Sequence, residues 1–533
     1  VRSTFHGLET MKRAIYAQQY GIYTTGHNIA NANTEGYTRQ RVNMGTMTPL
    51  DPIGVNRSAM AGQLGTGVIV RDVVRLREAF LDSQFRHEHQ RVGDWEVRLD
   101  TLEKLEAIVN EPSENGLGAA LDEFWTAWDE LAANPGEHTT RTLVIQKMQA
   151  LVEAFNAKGR QLSDLKRDLE ENLDIKFNEA NELLKHIRDL NEQINKVEAS
   201  GDNANDLRDR RDLAVDQLSR LLDIRVEVSG EKGNETYKIV LANGESDPSD
   251  QEFDGVLLDG TNNPYSLDDS LKDFIDGGEI NGIFVSLDTV TRYQNELNAL
   301  VNTLVQGKVE VTLPAGTVLA SDIIAEDGTI LYQKDTVLDE PLTITVNGLN
   351  GLHQLGWDGQ EPPQPGGLLF ETADDSEAFT AENIRVSSEL LKDESLLAPS
   401  NKVIVHEDGS YTALPESNGI ALIIAKFKDE GQFEFDDGNG NATVAKGTIG
   451  GYYSAYAANL GVETDSAGKQ LSNNMSVLNH VEMRRASVSA VSLDEEMANL
   501  IMFQHAYNAA ARNITAIDEM LDRIINGMGH VGR

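Results

Sequence analysis

Cysteine is absent from the 533-residue chain. Disulfides, thiol catalysis, Fe–S clusters and cysteine zinc sites are thereby excluded, and the absence leaves the compartment open. Long apolar runs are missing too: none approaches the roughly 18 residues that a membrane span needs. The opening residues, Val1-Arg2-Ser3-Thr4-Phe5, lack the apolar region of a cleaved secretory signal, so neither span nor signal is expected. Positive charge is scarce, with 46 Lys and Arg against 86 Asp and Glu, a formal net charge of −40. Phosphate backbones and anionic lipids both require a basic surface, so no nucleic acid and no membrane is expected as partner. What is present is enough apolar material, 40% of the residues, to build cores. At roughly 150 residues per domain, the length allows about three or four domains.

The charge is unevenly placed. Residues 1–50 hold five basic and two acidic side chains, and residues 474–533 hold five and seven, which leaves −41 on the middle. Two nearly neutral ends flank an acidic body that repels copies of itself. Both ends read as helices. Leu8, Ile15, Ile22 and Ile29 recur every seven residues, with Met11, Gln18 and Thr25 at the intervening position. At the other end, Leu500, Tyr507, Ile514, Leu521 and Met528 form one heptad row, and Phe503, Ala510, Ile517 and Ile524 a second. Ser492 and Glu495 suit a capping box, and Gly527 and Gly529 end the pattern. Such stripes fit either core helices of one domain or helices that pair with each other or with other subunits.

Between the ends, long helices alternate with β-rich inserts. Helices are expected over 73–110, 117–133, 138–199, 203–222, 286–306, 380–398, 416–430 and 447–487. Leu183, Ile187, Leu190, Ile194 and Val197 keep the spacing of a bundle or coiled coil. Alternating runs over 224–266, 308–347 and 401–414 read as strands. Gly316-Thr317-Val318-Leu319 is echoed by Asp335-Thr336-Val337-Leu338, which suggests two similar hairpins. Residues 244–276, with ten acidic residues and one Lys, read as a solvated loop surface. The fold class is therefore mainly α with β-rich inserted domains, α+β and multidomain. The expected division is 1–70 with 475–533 as a terminal coiled-coil domain, 71–225 with 278–308 and 380–474 as a helical bundle, 226–277 as an acidic β insert, and 309–379 as an outer β domain.

Chemistry-bearing motifs are few. Gly62-Gln63-Leu64-Gly65-Thr66-Gly67 lacks the Lys-Ser/Thr of a phosphate loop and the spacing of a dinucleotide fingerprint, so it reads as a flexible connection. His87 and His89 lie two residues apart on a helix and point to different sides, a poor metal pair. Asp436-Asp437-Gly438-Asn439-Gly440-Asn441 lacks the closing Glu of a calcium loop and reads as a turn. No nucleophile elbow occurs. The expectation is a protein that is not an enzyme and has no cofactor and no metal.

The informative segment runs from Gly26 to Gln40, Gly-His-Asn-Ile-Ala-Asn-Ala-Asn-Thr-Glu-Gly-Tyr-Thr-Arg-Gln. A helix stops near Asn31, Asn33 can bond its own backbone, Gly36 can supply positive φ, and an extended stretch starts at Tyr37. This segment resembles the signature of the bacterial flagellar axial family, in which Pro usually stands where Glu35 does. Three further runs are similar to the hook–filament junction branch of that family. They are Gly65-Thr66-Gly67-Val68 with Val73–Arg77 and Phe80–Arg86, then Asn205–Asp212 with Gln217-Leu218-Ser219, then Ser492–Leu500 with Phe503-Gln504 and Tyr507–Arg512.

The resemblance implies a structural flagellar component at the junction between hook and filament that templates filament assembly. It implies paired terminal helices, outward-facing β domains, and export through the flagellar type III apparatus to an extracellular position. Implied partners are further copies in a ring layer, hook protein, the second junction protein or the flagellin side of the filament, and an export chaperone at the C-terminal helix. The implied assembly residues are Leu8, Ile15, Ile22, Ile29, Asn31, Asn33, Gly36 and Tyr37, with Leu500, Phe503, Tyr507, Ile514, Ile517, Leu521 and Ile524. The alternatives are another axial protein (hook protein or the second junction protein) and a wall-degrading enzyme on an axial scaffold. The latter would need a catalytic pair within 226–379.

Overall fold

The structure is a computed structural model that describes residues 5–49, 65–111, 113, 116–242, 255–260, 262–324, 330–406, 410–414, 416–435 and 446–527. Met528, the Asp436–Asn441 turn, Gly62–Leu64 and the first part of the acidic stretch (244–254) lie outside the described residues.

In chain order the elements begin with helix α1 (His6–Ala30), strands β1 (Gln40–Thr46) and β2 (Val68–Arg75), and helices α2 (Ala79–Val109), α3 (Leu117–Ala133), α4 (His138–Ala199) and α5 (Asn205–Leu221). Strands β3 (Ile224–Glu231), β4 (Asn234–Leu241) and β5 (Val256–Asp259) form one antiparallel sheet. Next come α6 (Gly278–Gln306), β6 (Lys308–Leu313), β7 (Ile323–Ile324), β8 (Ile330–Tyr332), β9 (Leu342–Asn347) and the short α7 (Gly348–His353). The strand pairs β10 (Phe370–Thr372) with β11 (Ile384–Val386) and β12 (Val403–Val405) with β13 (Tyr411–Ala413) precede α8 (Gly419–Glu430). Strands β14 (Phe433–Glu434) and β15 (Lys446–Gly447) join β6 and β9 in the order β15-β14-β6-β9. Helices α9 (Ile449–Ser489) and α10 (Leu493–Gly527) close the chain. The fold is thus mainly helical with small antiparallel sheets.

Two compact units emerge: residues 1–95, 174–282 and 471–533 form unit 1, and residues 96–173 and 283–470 form unit 2. In unit 2, α3 presents Phe124, Trp128 and Leu131 to a fully enclosed core, and α8 packs on it through Ile420, Ile424 and Phe427. Helix α3 stops at Asn134-Pro135-Gly136 because Pro135 cannot continue the backbone ladder. Helix α2 stops where Asn110 takes a left-handed φ of 49°, and the Lys158 ammonium caps the carbonyls of Ile108 and Val109.

In unit 1, α1 and α10 run antiparallel. Gly7 faces Ile517, Gly21 faces Phe503, and Asn28 meets Glu496. The most buried line on α1 is Ala17, Gly21, Thr25 and Asn28, small or polar residues that let the backbones approach. A methyl group at Gly21 would sit 2.9 Å from the Phe503 ring.

Several expectations are corrected. The helix read over 73–110 begins only at Ala79, because Val68–Arg75 pairs as a strand with Gln40–Thr46. Val68, Ile69, Val70, Val73 and Val74 are all β-branched, which favours an extended backbone. Residues 380–398 are not a helix. Ile384–Val386 pairs with Phe370–Thr372, and the Asn383 side chain accepts from Thr380 N and donates to Ala378 O, closing a turn instead. The echoed quartets are not two hairpins: they pair with each other, Val318 opposite Val337, with Gly316 N–H donating to Leu338 O (2.7 Å). Of the described part of the glycine-rich run, Thr66 and Gly67 are packed, whereas Gly65 is exposed. Arg13 donates to Thr66 O at 3.1 Å, and Gly67, at φ 101°, lies against Thr10. Only half of the capping box forms: Ser492 Oγ accepts from Glu495 N–H at 3.5 Å, whereas the Glu495 carboxylate pairs with Arg39.

Candidate assembly site

The runs that carry the family resemblance lie in unit 1, where the end of α1, the start of α10, the start of α5 and the β2–α2 connection converge. Asn28 is the centre, 1% exposed. Its amide nitrogen donates to Gln40 O (2.8 Å) and Glu496 Oε2 (3.0 Å). Its oxygen accepts from the Tyr37 hydroxyl (2.8 Å) and from Gln40 N–H (3.0 Å). Two donors and two lone pairs are all used, which makes the side chain a fully satisfied buried polar group.

The turn that delivers Tyr37 follows from local chemistry. Asn31 closes α1, with its amide donating to His27 O at 3.0 Å, and Thr34 N–H donates to Asn31 O at 2.9 Å. Gly36 holds φ 75° against Leu213, a conformation and a clearance that disfavour a side chain. Tyr37 then packs edge-on to His27 with ring centres 5.5 Å apart. Burial first, then the nearby Asp206, Asp209 and Glu496 charges, push its hydroxyl pKa up, so it remains a donor.

Arg39 ties this turn to the start of α10. Its guanidinium donates to Glu496 Oε1 (2.8 Å) and Glu495 Oε2 (2.6 Å), while its N–H donates to Ser489 O (2.9 Å). Burial works against its charge, but the two glutamates outweigh it and raise its pKa. Beside it, Thr38 N–H and Arg75 donate to Asp209 at 3.1 and 2.8 Å, and Arg75 also reaches Asp212 at 2.8 Å. Arg77 donates to Asp82 (2.6 Å), Arg86 to Asp216 (2.7 Å), and Arg485 bridges Asp82 (3.0 Å) and Asp216.

Asp212 shows what the cluster does. Burial alone would raise its pKa, but Arg77, Arg75, Arg211 and Arg86 hold it down at about 2. For Asp209 burial prevails over Arg75 and its pKa rises. Removing one partner of such a buried pair costs roughly 3–5 kcal/mol, because the other is left uncompensated. These carboxylates are committed to arginines and backbone N–H groups, so the arrangement holds chain segments together and is not set up for proton transfer. His89 is engaged by the Asp216 carbonyl at 3.0 Å, and no group of three or more His, Asp or Glu among the described residues could hold a metal.

The sequence-derived assembly residues are placed as follows. Leu8, Ile15, Ile22 and Ile29 are half-buried on α1, as are Leu500, Phe503, Tyr507, Ile514, Ile517 and Leu521 on α10. Ile524 stays 50% exposed. Asn31, Gly36 and Tyr37 are half-buried in the turn, and Asn33 is exposed. Sequence reasoning missed Asn28, Arg39, Asp209, Asp212 and Glu496 as the residues that join these pieces. The one local signal was a polar Asn at helical spacing after Gly21 and Thr25.

Comparison with known proteins decides the family. The chain is 33% identical over 558 residues to flagellar hook-associated protein 1 of Bacillus subtilis (strain 168), covering all of both chains. The chain belongs to the flagellar hook-associated protein 1 family. It is a structural component of the flagellum and not an enzyme. Flagellar hook-associated protein 1 of Salmonella typhimurium is 22% identical, and that of Escherichia coli (strain K12) 24%, each over 96% of this chain and 97% of the relative. The family model described as flagellar hook-associated protein FlgK helical domain matches residues 102–310, and that of the flagellar basal body rod FlgEFG protein C-terminal matches 485–527. Among solved structures, the flagellar hook junction protein FlgK from Burkholderia pseudomallei aligns with TM-score 0.46 at 14% identity, over 76% of this chain and all of that one.

Proposed function

We propose that the chain forms the layer that joins hook to filament, and that its α1–α10 pair is the adhesive element. The observation that carries this reading is the incomplete burial of that pair. Leu493, Met497 and Ile501 lie four residues apart on α10 and are 50–52% exposed, and Tyr16, Tyr20 and Tyr23 on α1 are 53–69% exposed. Apolar and aromatic faces of this extent mark a surface meant for neighbours. Further copies, hook protein on one side, and the second junction protein or flagellin on the other would cover them. Heterologous contacts that close on themselves give a ring layer, not an endless filament.

Monomers would travel with loose termini, and folding on docking would meet the ordering cost only at the growing end. The exposed stripe of α10 also suits an export chaperone. Residues 1–70 with 475–533 would then act as the terminal coiled-coil domain, with the acidic body and its β inserts discouraging lateral association between flagella.

The test is electron microscopy of a strain lacking the gene, with flagellin assayed in the medium. Bare hooks with flagellin lost to the medium are expected. Missing hooks would move the role inward to rod or hook, and normal filaments would refute it. A second test replaces Ile514 and Leu521 with Asp, and unchanged assembly would sink the heptad interface.

A further inference from the structure

Sulfur is unevenly placed in this chain. With no cysteine, methionine carries all of it. Met475, Met483, Met497, Met502 and Met520 are 42–60% exposed, and all of them lie on the C-terminal part of α9 or on α10, within unit 1. Elsewhere among the described residues, Met148 is fully enclosed and Met11, Met44 and Met47 are half-buried. The exposed thioethers are thus confined to one end of the chain, the end that carries the docking helix.

Their neighbours differ. On α10, Met497 stands one turn from both Leu493 and Ile501, and Met520 stands one turn from Ile524, all of them apolar and about half exposed. Side chains four residues apart share a helix face, so Met497 and Met520 sit inside apolar rows. Met483 on α9 is flanked at the same spacing by Asn479 and Ser487 and belongs to a polar row. A thioether packs as an apolar group and adapts to varied partner surfaces. Unlike leucine or isoleucine, it also accepts an oxygen atom.

We infer that Met497 and Met520 are oxidation sites at which hydrogen peroxide turns docking off. The inference rests on the α10 docking face proposed above. The sulfur lone pair attacks one peroxide oxygen. An S–O bond forms as the O–O bond breaks, and the sulfur gives up two electrons. The second oxygen takes the proton of the first and leaves as water. The sulfoxide is polar where the row was apolar, so burying it against a neighbour no longer returns the transfer free energy of a methionine. Methionine sulfoxide reductases, driven by thiols, restore the thioether.

The test treats the purified full chain with hydrogen peroxide, maps oxidation by peptide mass spectrometry, and measures binding to hooks isolated from a strain lacking the gene. Met483, Met497 and Met520 should oxidise while Met148 stays a thioether. The treated chain should bind hooks at least about tenfold more weakly than the untreated one, and enzymatic sulfoxide reduction should restore binding. Met497→Leu combined with Met520→Leu, close in volume, should bind normally and keep binding after peroxide. Met483→Leu should leave the sensitivity as it is. Undiminished binding by the oxidised, unmutated chain would overturn the inference alone, whereas an untreated chain that fails to bind would refute the docking face as well. Oxidation of Met497 and Met520 no faster than that of Met148, full sensitivity in the double Leu variant, or a loss that outlasts sulfoxide reduction would each overturn it too.

Discussion

Helices α4 and α10 carry the same heptad spacing in unit 1 and reach different degrees of burial. On α4, Ile187, Leu190 and Ile194 are 0–3% exposed. On α10, Leu500, Phe503, Tyr507 and Ile514 stop at half-burial, and on α1 the four heptad residues do the same. In unit 2 the contrast is sharper, since Phe124 and Trp128 of α3 are fully enclosed. Periodicity therefore reports that a face is meant to be covered and leaves open by what. The α4 stripe is covered within the chain. The α1–α10 stripe is covered only in part, and its Asn28–Glu496 end is pinned by hydrogen bonds and ion pairs in place of bulk apolar burial.

The comparison yields predictions of graded size. Trp128→Ala should cost about 3–5 kcal/mol by denaturant titration, whereas Leu521→Ala, at a half-buried site, should cost about 1 kcal/mol. Equal costs would break the contrast.

Mild acid should act on unit 2 through His353. This imidazole is fully buried, with Nδ1 at 2.8 Å from Gly367 O and Nε2 accepting from Ala398 N–H, and burial lowers its pKa to about 4. Its folded pKa lies below the ordinary histidine value, so the stability it contributes is present above that value. It is lost as pH falls from about 6.5 towards 4, amounting to about 3 kcal/mol. His353→Gln should flatten that part of a stability–pH curve. In unit 1, Asp212 has the same sign in a lower window: its contribution is complete above the ordinary aspartate range and is lost as pH falls towards about 2. Asp209, with its pKa raised by burial, opposes it.

Gly21→Ala should cost about 1–3 kcal/mol by pressing a methyl group on Phe503. Adding Phe503→Leu should recover much of it, and a loss that persists would place the strain elsewhere. Tyr37→Phe removes one of the two hydrogen bonds to the Asn28 oxygen and should cost about 1 kcal/mol. Smallest of all, Ile501→Asp should change monomer stability by less than about 0.5 kcal/mol while abolishing incorporation into flagella.

Much of the helical architecture was legible because breakers and periodicity agree, as at Asn134-Pro135-Gly136 and along α3, α4 and α10. The misreadings fall where a short strand adjoins a helix, as at Val68–Arg75, or where side-chain turns set the path, as at Asn383. In the first the strand partner is distant in sequence, and in the second side-chain bonds to Thr380 and Ala378 override the helical pattern. The candidate site was legible in its turn chemistry, Asn31 and Gly36, because those requirements are local. It was not legible in Asn28, Arg39, Asp212 and Glu496. With 86 acidic residues in the chain, no single carboxylate stands out until the fold sets it against an arginine.

The central claim is that the α1–α10 pair is completed by neighbouring subunits. Hydrogen–deuterium exchange on the free chain and on isolated hook–filament junctions tests it most directly. The account predicts fast exchange in α1 and α10 of the free chain, slow exchange in α3 and in the Ile187–Ile194 part of α4, and strong protection of α1 and α10 in the assembled state. Equal protection of all these helices in the free chain, unchanged on assembly, would contradict it.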